Sequence, residues 1–276
     1  MTANARNPLH SRGIVADFVD SRQQRGQYTF IGSDLAAVSH QTALARRAAL
    51  MRLRKRGRIV RPLPRHDFFV IVPHEYRSLG APPSSWYLDS LMRYLGLPAY
   101  YVGLLTAAQW HGASHFAVQE TQVIVPKQMR PIQVGREKIR FFMKADAANT
   151  PVEMRTLEYG PIRVSSPEAT AVDLVRYIDA AGGLNFVATV LAELKKELKP
   201  GVLKVAVAKG SNAATTQRLG YILERVADAR LTAPLARWLV RQHPRTRPLD
   251  PRASVKGVAL NERWRLWVNA DIEPSA

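Results

Sequence analysis

Residues 46–73 read RRAALMRLRKRGRIVRPLPRHDFFVIVP and hold nine arginines and lysines before their first acid, Asp67. Like charges packed this densely repel one another, so the stretch asks for an anion to meet it. Ala49, Leu50 and Leu53 give a helix one apolar edge, and Gly57 stops it. After the glycine, Ile59-Val60 and residues 68–72 (FFVIV) are short apolar runs typical of strands, joined by the loop PLPRHD. Upstream, Ser39 is a capping candidate for that helix, and Ser33 for a shorter one over residues 34–38, with Asp34 in its first turn. Tyr28-Thr29-Phe30 is strand-like, and residues 11–25 carry a helical stripe at Ile14, Val15, Phe18 and Val19. Helix, short strand, helix, helix and β-hairpin is the order of a winged helix-turn-helix.

The rest of the composition agrees with a nucleic-acid partner. The 276 residues carry a formal charge of +18 with 46% hydrophobic content, which is enough apolar material for a core. Residues 1–80 hold 14 basic and 5 acidic side chains, a net +9, and the other 196 residues carry the remaining +9. A turn-rich segment, Gly80-Ala81-Pro82-Pro83-Ser84-Ser85, divides them. The expected organisation is therefore α+β, with an N-terminal winged helix-turn-helix over residues 1–80 and a larger mixed α/β domain over 81–276. In the second part, helices are expected over about 85–95 and 99–110. Strands are expected near 121–125, 132–134, 139–143, 152–158 and 162–164, followed by a helical stretch from 167 to 243 broken at three glycine-containing pairs. Pro167 after Ser166 reads as a helix start.

In a helix-turn-helix the second helix of the pair enters the major groove, and flanking cations fix its register on phosphates. The expected DNA-binding residues are Gln41, Thr42, Arg46, Arg47, Arg54, Lys55, Arg58, Arg61 and Arg65. Gln41 has the amide to pair with adenine, and arginine pairs bidentately with guanine. Arg46 sits awkwardly, near the apolar edge of its own helix. Arg241, Arg245 and Arg247 extend the basic character into the second part, toward DNA or another polyanion.

Signals for chemistry are thin. No cysteine occurs, which excludes thiolate nucleophiles and disulfides and fits the cytoplasm. Residues 94–119 lack Asp, Glu, Lys and Arg, but proline, glycine and histidine interrupt them, so no membrane span is expected. His111 and His115 lack the rest of a metal motif, and Glu193-Leu194-Lys195 and Glu197-Leu198-Lys199 fall in a helical pattern rather than on a nuclease strand. No phosphate-cradling glycine loop is present. Glu120, Glu153, Glu158 and Asp173 are the only acids to nominate for catalysis. Asp173 is expected to be buried against Arg218 or Arg263. The expectation is no catalytic residue, no metal and no cofactor.

Several stretches together resemble the AbiEi antitoxins of type IV toxin–antitoxin systems. They are RLRKRGRIVRPLPRHDFFVIVP, YYVGLLTAAQWHGASHFAVQETQVIVPK, VSSPEATAVDLV, GGLNFVATVLAEL, RLGYILE and NERWRLWVNADIE. The resemblance implies an autorepressor that binds double-stranded DNA at inverted repeats of its own promoter. It also implies a C-terminal antitoxin domain and a nucleotidyltransferase-like toxin counteracted without a stable complex. Only the charges from Arg47 to Arg65 carry over residue by residue. Two other functions fit the same architecture: a C-terminal nucleic-acid enzyme, and a ligand sensor with Trp86, Tyr100, Tyr101 and Trp110 around a pocket. The oligomeric state is left open.

Overall fold

The computed structural model describes residues 13–113 and 118–273. His115, and the expected start of the first helix at Ser11, lie outside the described residues. The chain is a mixed α+β protein in two compact units. The first runs to Gly96 and includes Pro131–Lys138 and Thr156–Pro161; the second comprises Leu97–Arg130, Ile139–Arg155 and the residues from Ile162 onward.

The first unit begins with α1 (Ile14–Gln24), β1 (Thr29–Ile31), α2 (Gly32–Val38), α3 (Ala43–Lys55), β2 (Ile59–Val60) and β3 (Phe68–Ile71). Both β1 and β2 pair antiparallel with β3, giving the order β1-β3-β2, with Phe30 opposite Phe69 and Val60 opposite Val70. Val15, Val19, Phe30, Leu35, Leu53, Ile59, Phe69 and Ile71 form one buried cluster, in which the rings of Phe30 and Phe69 stack 5.0 Å apart. Two caps differ from expectation. The chain enters α2 at Gly32, where the Asp34 carboxylate accepts from Ile31 N at 3.1 Å, so Ser33 lies inside the helix. The chain enters α3 at Ala43, capped by Thr42 rather than Ser39, because Ser39 is extended and its buried hydroxyl accepts from Gln41 N.

A six-stranded sheet has the order β6-β7-β5-β4-β9-β8. Its strands are β4 (Tyr101–Val102), β5 (Thr121–Val125), β6 (Ile132–Val134), β7 (Glu137–Met143), β8 (Val152–Leu157) and β9 (Gly160–Ser165). The expected helix over 85–95 is α4 (Leu88–Tyr94), and the expected helix over 99–110 is in fact β4 followed by α5 (Leu104–Trp110). Tyr101 and Val102 pair antiparallel with β5, and Val102 pairs in parallel with Val164 of β9. Gly103 makes the corner, for a Cβ there would lie 2.9 Å from the Ile124 side chain. Five helices follow: α6 (Pro167–Arg176), α7 (Leu184–Leu194), α8 (Pro200–Gly210), α9 (Ala213–Val226) and α10 (Ala229–Val240). Ser166 caps α6 by accepting from Ala169 N at 3.2 Å, with Pro167 at the first helical position, as the sequence indicates. Glu193 to Glu197 lie at the end of α7 and in the single turn after it. Three short strands, β10 (Arg247–Pro248), β11 (Leu260–Asn261) and β12 (Leu266–Trp267), close the chain in a second small sheet.

One polar cluster is sealed inside the second unit. Asp173 on α6 and Lys144 just after β7 are 0% and 1% exposed, and they pair at 3.0 Å. The Tyr101 hydroxyl donates to Asp173 at 2.7 Å and accepts from Thr150 and Lys144. This corrects the expected partner of Asp173. Arg218 instead donates to the carbonyls of Leu249 and Pro248, and Arg263 pairs with Glu224. Burial pushes the Asp173 carboxyl up, and the Lys144 ammonium opposes that rise. Removing one partner leaves an uncompensated buried charge, so Lys144→Ala is expected to cost about 3–5 kcal/mol of unfolding free energy in urea titration. Gly220 on α9 faces the Trp264 ring so closely that an added Cβ would lie 2.0 Å from it. Gly220→Ala is therefore expected to cost about 1–3 kcal/mol by the same measurement, through overpacking.

Candidate nucleic-acid interface

The outward face of α3 is built by its inward one. Leu53 is 4% exposed and anchors the helix on α1, α2 and the small sheet, with Ala49 and Leu50 packed beside it. No acid occurs in α3, so every charged side chain that it turns outward is cationic. Arg47, Arg52, Arg54, Lys55 and Arg56 are all exposed, as is Arg65 on the loop between β2 and β3. Arg52 and Arg56 were not among the residues expected at the site. Their exposure follows from the helical angle that Leu53 fixes, which the spacing of cations alone does not reveal.

The remaining three cations of the basic run are held by the protein itself. Arg46 is half-buried, and its guanidinium donates to Gln41 O at 2.5 Å and to Ser39 O at 3.5 Å. The awkward position near the apolar edge is thereby explained: Arg46 ties down the turn between α2 and α3. Arg58 does not stand in solvent as expected but pairs with Asp20 of α1, because the chain turns back toward α1 at Gly57 before entering β2. Arg61 donates to His66 O at 2.5 Å and lies 5.6 Å over the Phe69 ring, which shapes the loop. At the start of α3, Thr42 spends its hydroxyl oxygen on the cap, accepting from Ala45 N at 3.2 Å. The Gln41 side-chain carbonyl oxygen is buried and has no hydrogen-bond partner among the described residues.

Between α2, α3 and the β2–β3 loop lies an open cleft of about 550 Å³. Leu35, Ala36, Leu50 and Phe69 contribute apolar lining, while Arg46, Arg47, Arg54 and Arg61 supply cations and Asp67 the one acid. The Tyr94 hydroxyl accepts from Asp67 N at 3.1 Å and fixes the end of the loop. The arrangement offers a convex cationic helix beside a cationic loop, suited to a polyanion.

The acids nominated for catalysis do not gather. Glu120 faces Arg140 at 3.4 Å, Glu153 faces Arg155 at 3.8 Å, Glu158 accepts from Tyr159 at 2.6 Å, and Asp173 is sealed with Lys144. Among the described residues no three His, Asp or Glu side chains converge in a way that would hold a metal ion. His111 contacts the Ser165 carbonyl and Arg155. Tyr100 and Tyr101 are core residues rather than pocket walls, and Trp86 packs against Tyr28, Tyr76 and Tyr159. Arg241, Arg245 and Arg247 are exposed and have no acidic partner among the described residues. Also among the described residues, no helix is long and apolar enough to cross a membrane.

Comparison with known proteins is informative at two levels. The crystal structure of the RV2827C protein from Mycobacterium tuberculosis superposes with a TM-score of 0.63 at 16% identity, covering 96% of this chain and 92% of that one. That likeness is one of fold. No curated protein sequence matches the chain. Residues 101–225 match the family model of the AbiEi antitoxin C-terminal domain. The matched segment runs from the start of β4 into the last turn of α9 and supports an AbiEi-type antitoxin.

Proposed function

We propose that the chain is a DNA-binding autorepressor and antitoxin of a type IV toxin–antitoxin system. Its first 80 residues form a winged helix-turn-helix in which α2 and α3 are the helix pair and the β2–β3 hairpin is the wing. Residues 81–276 carry the antitoxin activity against a nucleotidyltransferase-like toxin, without a stable complex between the two. The protein acts by binding, not by catalysis. The observation that carries the reading is the exposed, acid-free cationic face of α3 beside a cationic loop, in a chain with an AbiEi antitoxin domain.

Six exposed cations, Arg47, Arg52, Arg54, Lys55, Arg56 and Arg65, support the reading as candidates for phosphate contacts. Four to six such contacts give a log–log salt slope of roughly −3.6 to −5.4. Arg46, Arg58 and Arg61 act differently: they hold the turn, the approach to β2 and the wing loop in place. Inverted repeats in the promoter match two copies of the module on one operator, at a spacing near one helical turn or its multiples.

Mobility shifts with the duplex upstream of its own reading frame test the DNA reading. Arg47→Ala and Arg65→Ala should each weaken binding, and Arg65→Ala should also reduce the salt slope by about 0.9. Equal affinity and slope for wild type and both variants would refute it. For the antitoxin reading, co-expression with a neighbouring nucleotidyltransferase-like gene should restore growth, and residues 81–276 alone should suffice. Continued growth arrest with the full chain would count against it.

A further inference from the structure

The outward face of α3 is not purely cationic. Leu44 is 78% exposed and Met51 63% exposed, on a short helix of the smaller unit. A single exposed apolar side chain on a surface is ordinary. These two are seven residues apart, and Arg47 and Arg54 interleave with them at the same spacing. Positions 44, 47, 51 and 54 are i, i+3, i+7 and i+10, so one side of the helix presents all four. Leu53 is buried on the other side. Neither Arg47 nor Arg54 has an acidic partner among the described residues, and Lys55 adjoins the row.

Phosphates account for the arginines and the lysine but give no reason for an isobutyl group and a thioether among them. The floor of the major groove accounts for both kinds. Guanine offers O6 and N7 to a guanidinium, and thymine offers its 5-methyl group to an apolar side chain. From residue 44 to residue 51 the helix rises about 10.5 Å, which corresponds to about three base-pair steps at 3.4 Å per step.

Resting on the reading of α3 as a DNA-recognition helix, we propose that Leu44, Arg47, Met51 and Arg54 are its specificity-determining residues. Met51 and Leu44 recognise thymine methyl groups about three base pairs apart, and Arg47 and Arg54 read guanines between and beside them. The sequence-expected set held the two arginines but not the two apolar residues. Gln41 and Thr42 drop out of base reading, since one has its side-chain oxygen buried and the other caps the helix.

The test uses the full chain and the duplex upstream of its own reading frame, amplified once with thymine and once with uracil, which lacks only the methyl group. Wild type should bind the thymine duplex about fourfold more tightly for each methyl contacted. Met51→Ala and Leu44→Ala should each lower that thymine-to-uracil ratio about fourfold, because each loses one methyl contact. Arg52→Ala, exposed on another side of α3, should weaken both duplexes equally and leave the ratio intact. Leu44 and Met51 are exposed, so these variants fold, and circular dichroism checks that they do. An equal affinity of wild type for the two duplexes, or an unchanged ratio in both apolar variants, overturns the proposal. A wild-type chain that shifts neither duplex overturns the DNA-binding reading itself, and with it this inference.

Discussion

Mutual repulsion among nine cations between residues 46 and 66 is the constraint on which the first unit depends. A helix with this much like charge is a poor one in isolation, and α3 has no acid at i±4 to relieve it. What holds it is burial of the opposite edge. Leu53 sits in a cluster with Val15, Val19, Phe30, Leu35, Ile59, Phe69 and Ile71, and each buried side chain of this size contributes about 1.5–3 kcal/mol. Apolar burial of one edge thus fixes the direction in which each cation leaves the helix. The cationic face is a consequence of the core beneath it.

The nine cations divide by what they meet. Arg46, Arg58 and Arg61 turn to the protein's own carbonyls and to Asp20, and in doing so they fix the turn before α3, the return to β2 and the loop between β2 and β3. The other six face solvent. The three that turn inward thereby fix the segments on either side of α3 and the loop that carries Arg65. The second unit solves a different problem. Among the described residues it seals the charge pair of Lys144 with Asp173 beneath the surface, where Tyr101 bonds both partners and Thr150 in turn donates to Tyr101.

Much of the architecture was legible in the sequence because it rests on local periodicity and caps. The helical spacing of Ala49, Leu50 and Leu53, the glycine after Arg56, the FFVIV run and the Ser166-Pro167 start all depend on near neighbours, and the structure has helices and strands where they indicate. The misreadings share one cause. A two-residue strand such as Tyr101-Val102 has no period of its own and exists because β5 and β9 lie on either side of it. Ser39 and Thr42 are equally good caps on paper, and the packing of the turn chose between them.

The sequence by itself determined the charge, its concentration ahead of the β2–β3 hairpin, the absence of cysteine and the resemblance to the AbiEi antitoxins, since composition and order are read without coordinates. Only the tertiary structure decided which cations are free. A guanidinium on its flexible stem reaches only its near surroundings, so whether it meets a carbonyl, a carboxylate or solvent depends on what the chain brings there. Asp20 is 38 positions from Arg58, and Lys144 is 29 from Asp173. Such pairings are set by the fold, because no local pattern spans those separations.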